Sequence, residues 1–124
     1  MRLLASSLLL ASLLAAGCAS MATAPATARE GVLAGPNGMT LYTFDRDAAG
    51  SGKSACNGPC ATNWPPLMAA ADASATGDYS VITRDDGGRQ WAYMGKPLYY
   101  WAKDSKPGDR TGDGFNNVWK IARP

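Results

Sequence analysis

The sequence has no histidine and only one glutamate, Glu30, among its 124 residues. The lack of histidine excludes catalytic triads and metal sites built on imidazole, and a single glutamate leaves little scope for Glu-based acid catalysis. Charge is also scarce, with twelve basic against ten acidic residues and a formal net charge of +2. Such a weak field predicts no nucleic-acid partner. The composition favours a non-enzymatic protein.

No apolar run is long enough to span a bilayer, but residues 3–14 match the hydrophobic region of a signal peptide. Small residues then precede Cys18, a pattern that resembles the bacterial lipobox. We expect residues 1–17 to be a signal peptide and Cys18 to be acylated, with the lipid bilayer as partner. An ordinary signal peptide with an incidental cysteine is the alternative. Because Ala19 rather than Asp follows, we expect the periplasmic face of the outer membrane in a diderm host.

The segment 18–30 is rich in Ala, Ser and Thr and cannot form a core, so it predicts a flexible tether behind the lipidated cysteine. Residues 31–124 then form the predicted domain. Lipidation of Cys18 leaves Cys56 and Cys60, whose C-x3-C spacing in an oxidising compartment predicts a disulfide. A redox-active or copper-handling pair is the alternative, although the spacing is not C-x-x-C and no further ligand completes a metal site.

Turn-forming Gly, Pro, Asn and Asp residues recur every eight to fifteen positions, with short aromatic and β-branched runs between them. This pattern predicts a small all-β domain of short antiparallel strands with little helix. Residues 79–84 and 89–94, which flank Asp-Asp-Gly-Gly, form the clearest hairpin. Further strands are expected at residues 31–34, 40–44, 98–101 and 118–122. One helical turn is expected between Trp64 and Asp78.

The chain contains an internal repeat at an offset of 57 positions, between the ten residues from Gly38 and the ten from Gly95. Residues 63–64 correspond more loosely to residues 118–119. The shared pattern is carried by Tyr42, Phe44 and Asp47 in the first copy and by Tyr99, Trp101 and Asp104 in the second. The repeat predicts two half-domains that pack into one core, neither stable alone.

The repeated unit Tyr-x-aromatic-x-x-Asp resembles the signature of a bacterial predicted-lipoprotein family, also described as a secreted repeat of unknown function. The C-N-G-P-C and W-P-P segments at residues 56–66 and the second half from Arg84 to Tyr99 are similar to that family as well. This resemblance implies an envelope location and a duplicated fold, but no activity.

Residues two apart in a strand share a face, so the motif aromatics are expected to form a duplicated core. Tyr100 lies on the opposite face from its neighbours and is the better candidate for a surface contact with a glycan or peptide. Asp47 and Asp104 are expected to accept backbone hydrogen bonds and close their loops. Calcium binding by Asp104, Asp109 and Asp113 is a weaker alternative, because the spacing is not that of a calcium-binding loop.

Taken together, the residues predict an exported, membrane-anchored lipoprotein of the bacterial cell envelope that requires no cofactor or metal. We expect a binding or structural module whose partner is an envelope protein or glycan. The alternative is an accessory protein for redox or metal handling through Cys56 and Cys60. A hydrolase is the weakest option, since no carboxylate has a visible catalytic partner.

Overall fold

The computed structural model describes residues 23–124. The predicted signal peptide, Cys18 and the first part of the tether lie outside the described residues. The elements in chain order are β1 (Thr27–Arg29), β2 (Val32–Ala34), β3 (Tyr42–Phe44), α1 (Pro59–Asn63), β4 (Tyr79–Thr83), β5 (Arg89–Tyr93), β6 (Lys96–Pro97), a 3-10 turn (Phe115–Asn117) and β7 (Trp119–Ile121). All strand pairs are antiparallel. The prediction of an all-β fold with short strands and little helix is confirmed.

Each half of the chain opens with a hairpin. β1 pairs with β2 in the first half, and β4 pairs with β5 in the second. The β1–β2 loop consists of Glu30 and Gly31, whose φ angles of +49° and +80° give the left-handed turn that follows the twist of the strands. The predicted hairpin around Asp-Asp-Gly-Gly is confirmed. β6 extends the second hairpin through a similar left-handed turn at Met94 and Gly95.

The two halves exchange their last strands. β3 of the first half pairs with β7 of the second, with Tyr42 opposite Ile121 and Phe44 opposite Trp119. Reciprocally, Tyr99 and the residues after it bond to the segment before Leu67, through Tyr100 N–H to the Pro65 carbonyl and Ala102 N–H to the Asn63 carbonyl. Each half is therefore completed by a strand from the other half.

The same exchange appears in two closed rings of backbone hydrogen bonds. In one ring, Leu33 N–H donates to the Ala122 carbonyl, Ala122 N–H to Leu41, and Leu41 N–H to Leu33, at 2.9 Å each. In the other ring, the corresponding donors are Trp91, Leu67 and Leu98, which bond in the same cyclic order. Since each ring takes two members from one half and one from the other, the rings are related by the internal repeat.

The core has two parts. A first cluster is built around the motif aromatics: Val32, Tyr42, Phe44, Cys56, Trp64, Tyr99, Trp101, Trp119 and Ile121. A second, more aliphatic cluster lies around the two backbone rings: Ala26, Leu33, Leu41, Leu67, Leu98 and Ala122. Because both clusters draw on both halves, the duplicated sequence forms one shared core.

Three details differ from the sequence-based expectations. The short helix lies at Pro59–Asn63, not between Trp64 and Asp78, because Pro59 occupies its first position and fixes a helical φ there. Within residues 98–101, Tyr99 alone makes β-bridges, to Tyr42 and Pro66, and no regular strand forms. Folded structure also begins earlier than residue 31, since Ala26 is buried and β1 starts at Thr27.

Candidate functional site

The tyrosine of the first motif bonds to the aspartate of the second. The Tyr42 hydroxyl donates to Asp104 Oδ2 at 2.6 Å, in the buried centre of the domain. The other oxygen of Asp104 accepts from the backbone N–H and the hydroxyl of Thr111, at 3.0 and 2.6 Å. The Gly112 N–H donates to the Tyr42 oxygen at 3.3 Å. Asp104 therefore closes the loop that follows it and holds it against the first half.

The tyrosine of the second motif makes the reciprocal bond, to the aspartate of the first. The Tyr99 hydroxyl donates to Asp47 Oδ2 at 2.5 Å, and Asp47 Oδ1 accepts from the Ala55 N–H at 2.6 Å. Ser54 Oγ lies 2.7 Å from the Tyr99 oxygen. The predicted role of both aspartates in closing their loops agrees with these bonds. The sequence did not indicate that each tyrosine reaches the aspartate of the other copy.

Burial controls the ionisation of these groups. It raises the pKa of Tyr42 and of Tyr99 well above the ordinary value, and the neighbouring carboxylate raises each further. Burial also raises the pKa of Asp47, against the opposing effect of its hydrogen bonds from Tyr99 and Ala55. The tyrosines therefore remain neutral donors at physiological pH.

Arg84, which is buried, joins the β4–β5 hairpin to residues 54–60, here called the cysteine loop. The Arg84 side chain is fully buried. Its guanidinium donates to the Gln90 side-chain oxygen and the Cys56 carbonyl at 2.8 Å each, and to Ser54 Oγ at 3.1 Å. Its Nε bonds to the exposed carboxylate of Asp86 at 3.2 Å. Through Ser54, this network is continuous with the Tyr99–Asp47 pair.

This network is not predicted by any local sequence pattern. Arg84 precedes Asp85 and Asp86 at a hairpin turn, where a charged side chain is usually solvated. The informative signal is the short loop around the disulfide, because its backbone carbonyls require hydrogen-bond donors once they are buried. Gln90 completes the arrangement by donating to the Leu98 carbonyl at 2.8 Å.

Cys56 and Cys60 form the predicted disulfide. Cys56 is fully buried in the first cluster, whereas Cys60 lies in α1 and is half-buried. The bridge closes a short loop directly beside Arg84. It is thus part of the structural centre of the domain.

The aromatic side chains stack across the repeat. The Trp64 ring lies 3.8 Å from Trp119 and 4.0 Å from Trp101 between centroids, and Trp119 stacks on Phe44 at 4.2 Å. The rings of the two copies therefore alternate in one stack. Tyr100 is half-buried against the second cluster, with its hydroxyl over Gly35, and its role as a surface contact stays a prediction.

Residues 104–114 form a loop, here called the second loop, that contains Asp104, Asp109 and Asp113. Each of these aspartates binds different hydrogen-bond donors. Asp109 accepts from the Ser105 and Lys106 N–H groups, and Asp113 accepts from the Ile121 N–H. Across residues 23–124, no three acidic or cysteine side chains lie close enough together to hold a metal ion.

Comparison with known proteins agrees with this duplicated geometry. A family model described as a secreted repeat of unknown function matches residues 26–68 and again residues 80–123. The chain belongs to this family. The two matched segments coincide with the two interlocked halves, so the family repeat corresponds to one half of the fold. No curated protein and no solved structure matches the chain. In the described part, no helix has the length and apolar character needed to cross a bilayer.

Proposed function

We propose that this chain is a lipid-anchored module of the bacterial cell envelope that binds a partner or has a structural role. The membership of a secreted family supports an extracellular or envelope location. The anchoring step is supported by the small residues before Cys18, which resemble a lipobox, and the burial of Ala26 shows that the folded domain begins only eight positions after Cys18. An acyl chain on Cys18 would therefore hold a rigid domain close to the membrane, on the periplasmic face of the outer membrane in a diderm host.

The interior of the domain supports a structural or binding role over a catalytic one. The ionisable side chains that could take part in catalysis are buried and hydrogen-bonded to one another or to the backbone. They are Tyr42, Tyr99, Asp47, Asp104 and Arg84. Among residues 23–124, every buried side-chain polar atom has a hydrogen-bond partner. Partner recognition would then fall to the exposed loops and shallow surface clefts.

The anchoring step is tested by replacing Cys18 with Ser behind a signal peptide that an ordinary signal peptidase removes. The wild-type chain should fractionate with membranes and carry the added mass of its acyl groups. The Cys18→Ser chain should appear in the soluble periplasmic fraction without that mass. A Ser20→Ala chain, changed two residues away, should behave as wild type. An unacylated Cys18→Ser chain that stays in the membrane would contradict the proposal.

A second candidate function is redox or metal handling by Cys56 and Cys60, which the partial exposure of Cys60 favours. A reagent in solution would reach Cys60 before the buried Cys56. The measurement is the reduction potential of the pair, together with the native mass of the exported protein. A potential below about −300 mV and no metal adduct would indicate a structural bond. A stoichiometric metal adduct or free thiols would favour this candidate.

A further inference from the structure

A small cleft on the surface is lined by two arginines from opposite halves of the chain. It has a volume of about 130 Å³, and its lining includes Arg29 from β1 and Arg110 from the second loop. The Thr40 side chain and the backbone at Gly108 form part of the wall. This volume holds roughly four waters and is smaller than the roughly 300–1,000 Å³ of sites for drug-sized molecules. The cleft therefore suits a small group.

The charges of the cleft are not neutralised internally. Among the described residues, neither Arg29 nor Arg110 belongs to an ion pair, and the Arg29 side chain makes no hydrogen bond. Glu30 is the one carboxylate side chain in the lining, and it lies beyond ion-pair distance of both arginines. Two guanidinium groups against one carboxylate leave a local positive charge.

Hydrogen bonds made by the lining residues hold the cleft in shape. The Arg110 guanidinium donates to the Glu30 carbonyl at 3.0 Å, which positions it beside the turn that ends β1. Thr40 Oγ1 donates to the carbonyl of Asp109, the residue before Arg110, at 2.7 Å. The Asp109 carboxylate faces the Ser105 and Lys106 N–H groups, which lower its pKa. A guanidinium has five N–H donors, so Arg110 retains donors after this single bond.

We propose that this cleft binds a phosphate oxyanion. A guanidinium fork matches the spacing of phosphate oxygens, and two forks from distant parts of the chain suit one tetrahedral group better than a point charge does. The phosphate could belong to a lipid headgroup or be free in the periplasm. The position of the cleft favours the headgroup, and this step alone rests on the proposed function.

The cleft lies close to Cys18 along the chain. Arg29 lies eleven residues after Cys18, and residues 23–27 line a second depression that shares Arg29 and Gly38 with the cleft. Seven residues lie between Cys18 and Ala26, so the two residues can be at most about 29 Å apart even with the chain fully extended. An acylated Cys18 would therefore hold the cleft within reach of phospholipid headgroups.

The test uses the Cys18→Ser chain, so that no acyl group contributes to binding. Its affinity is measured for vesicles of phosphatidylcholine, for vesicles of equal parts phosphatidylcholine and phosphatidylglycerol, and for inorganic phosphate. Arg29→Gln is the variant, since this exposed side chain makes no hydrogen bond or ion pair with the described residues that the change would remove. Arg46→Gln is the matched control, because it removes one exposed arginine that does not line the cleft.

We expect a preference for the phosphatidylglycerol vesicles that falls about tenfold or more in Arg29→Gln and less than about twofold in Arg46→Gln. Arg29→Lys should retain part of the affinity, because it keeps the charge but loses the fork. Binding of inorganic phosphate with the same dependence on Arg29, and no binding to either kind of vesicle, would support the site and overturn the lipid source.

Equal losses in Arg29→Gln and Arg46→Gln would show general attraction of a basic surface and overturn the proposal. The absence of binding to any of the three probes would overturn it as well. Neither result bears on anchoring, because acylation of Cys18 is measured separately on the wild-type chain. Thermal unfolding of each variant, followed by circular dichroism, confirms that the compared chains are folded.

Discussion

The Tyr42 hydroxyl donates its hydrogen bond to Asp104, a residue 62 positions away in the other half of the fold. The equivalent bond from Tyr99 to Asp47 spans 52 positions in the opposite direction. Between them, Tyr42 and Tyr99 exchange both backbone hydrogen bonds, at 2.8 and 3.0 Å. The Tyr and Asp of the repeated motif thus link the two copies and are not a self-contained unit within one copy.

The two tyrosine–aspartate pairs, Tyr42–Asp104 and Tyr99–Asp47, are here called the crossed pairs. They should contribute equally to the free energy of unfolding. Tyr42→Phe removes a buried bond to a carboxylate and should lower the free energy of unfolding by about 1.5–3 kcal/mol, as should Tyr99→Phe. Urea denaturation followed by circular dichroism measures both. Tyr93→Phe, which changes a half-buried tyrosine outside the pairs, is the control and should cost less than about 0.5 kcal/mol. A loss as small as the control's in Tyr42→Phe would contradict a structural role for the pair.

Replacement of Arg84 by Met should be far more costly than replacement of a surface arginine. Arg84→Met leaves the Cys56 carbonyl and the Gln90 oxygen without their buried donor, and at about 1–3 kcal/mol for each acceptor we expect a loss of about 2–6 kcal/mol. Arg84→Lys should not restore it, because one ammonium cannot serve acceptors arranged for a fork. Arg89→Met, the control, removes only exposed bonds and should cost less than about 1 kcal/mol in thermal or urea unfolding.

Loss of the disulfide should weaken the domain without preventing its folding. The bridge closes a loop of five residues, for which chain entropy corresponds to about 2 kcal/mol. Cys56→Ala with Cys60→Ala should lower the free energy of unfolding by that amount. Reduction of the wild-type protein by dithiothreitol should give the same value in urea denaturation. A reduced protein as stable as the oxidised one would show that the bridge has no structural effect.

Alkaline pH should unfold the protein through the buried tyrosines. Tyr42 and Tyr99 each have a higher pKa in the folded chain than in the unfolded chain, so the folded state holds their protons more tightly. Their stabilising effect is complete below about pH 10 and is lost as the pH rises towards the folded-state pKa.

The expected slope above about pH 10 is a loss of about 1.4 kcal/mol per pH unit for each of the two groups. Urea denaturation at a series of pH values measures it, with the ultraviolet absorption of tyrosinate as a second signal. Tyr42→Phe should remove one of the two contributions to the slope. An unchanged slope in that variant would show that Tyr42 does not take part.

Much of the fold could be predicted from the sequence, because local patterns determine it. The hairpin around Gly87 follows from its turn residues, and the disulfide follows from the spacing of Cys56 and Cys60. The repeat itself is visible in the alignment of Gly38 with Gly95. The alanine-rich stretch after Trp64 predicts a helical turn, but the helix begins instead at Pro59, whose ring fixes a helical φ.

The exchange between the halves could not be predicted in the same way. Spacing shows that Tyr42 and Phe44 share a face, but two similar copies offer each tyrosine two aspartates that satisfy it equally well. The choice depends on the pairing of β3 with β7, a contact between distant parts of the chain. Arg84 was missed for a related reason, because its burial arises only when the cysteine loop closes over it.

The exchange of strands also bears on how a protein of this type could have arisen. One repeat alone has a tyrosine and an aspartate that do not meet within the same copy, and a terminal strand that pairs elsewhere. Two identical single repeats could satisfy each other as a homodimer, through the same crossed bonds. Fusion of two such genes would then convert a concentration-dependent assembly into one that a single polypeptide completes at any dilution.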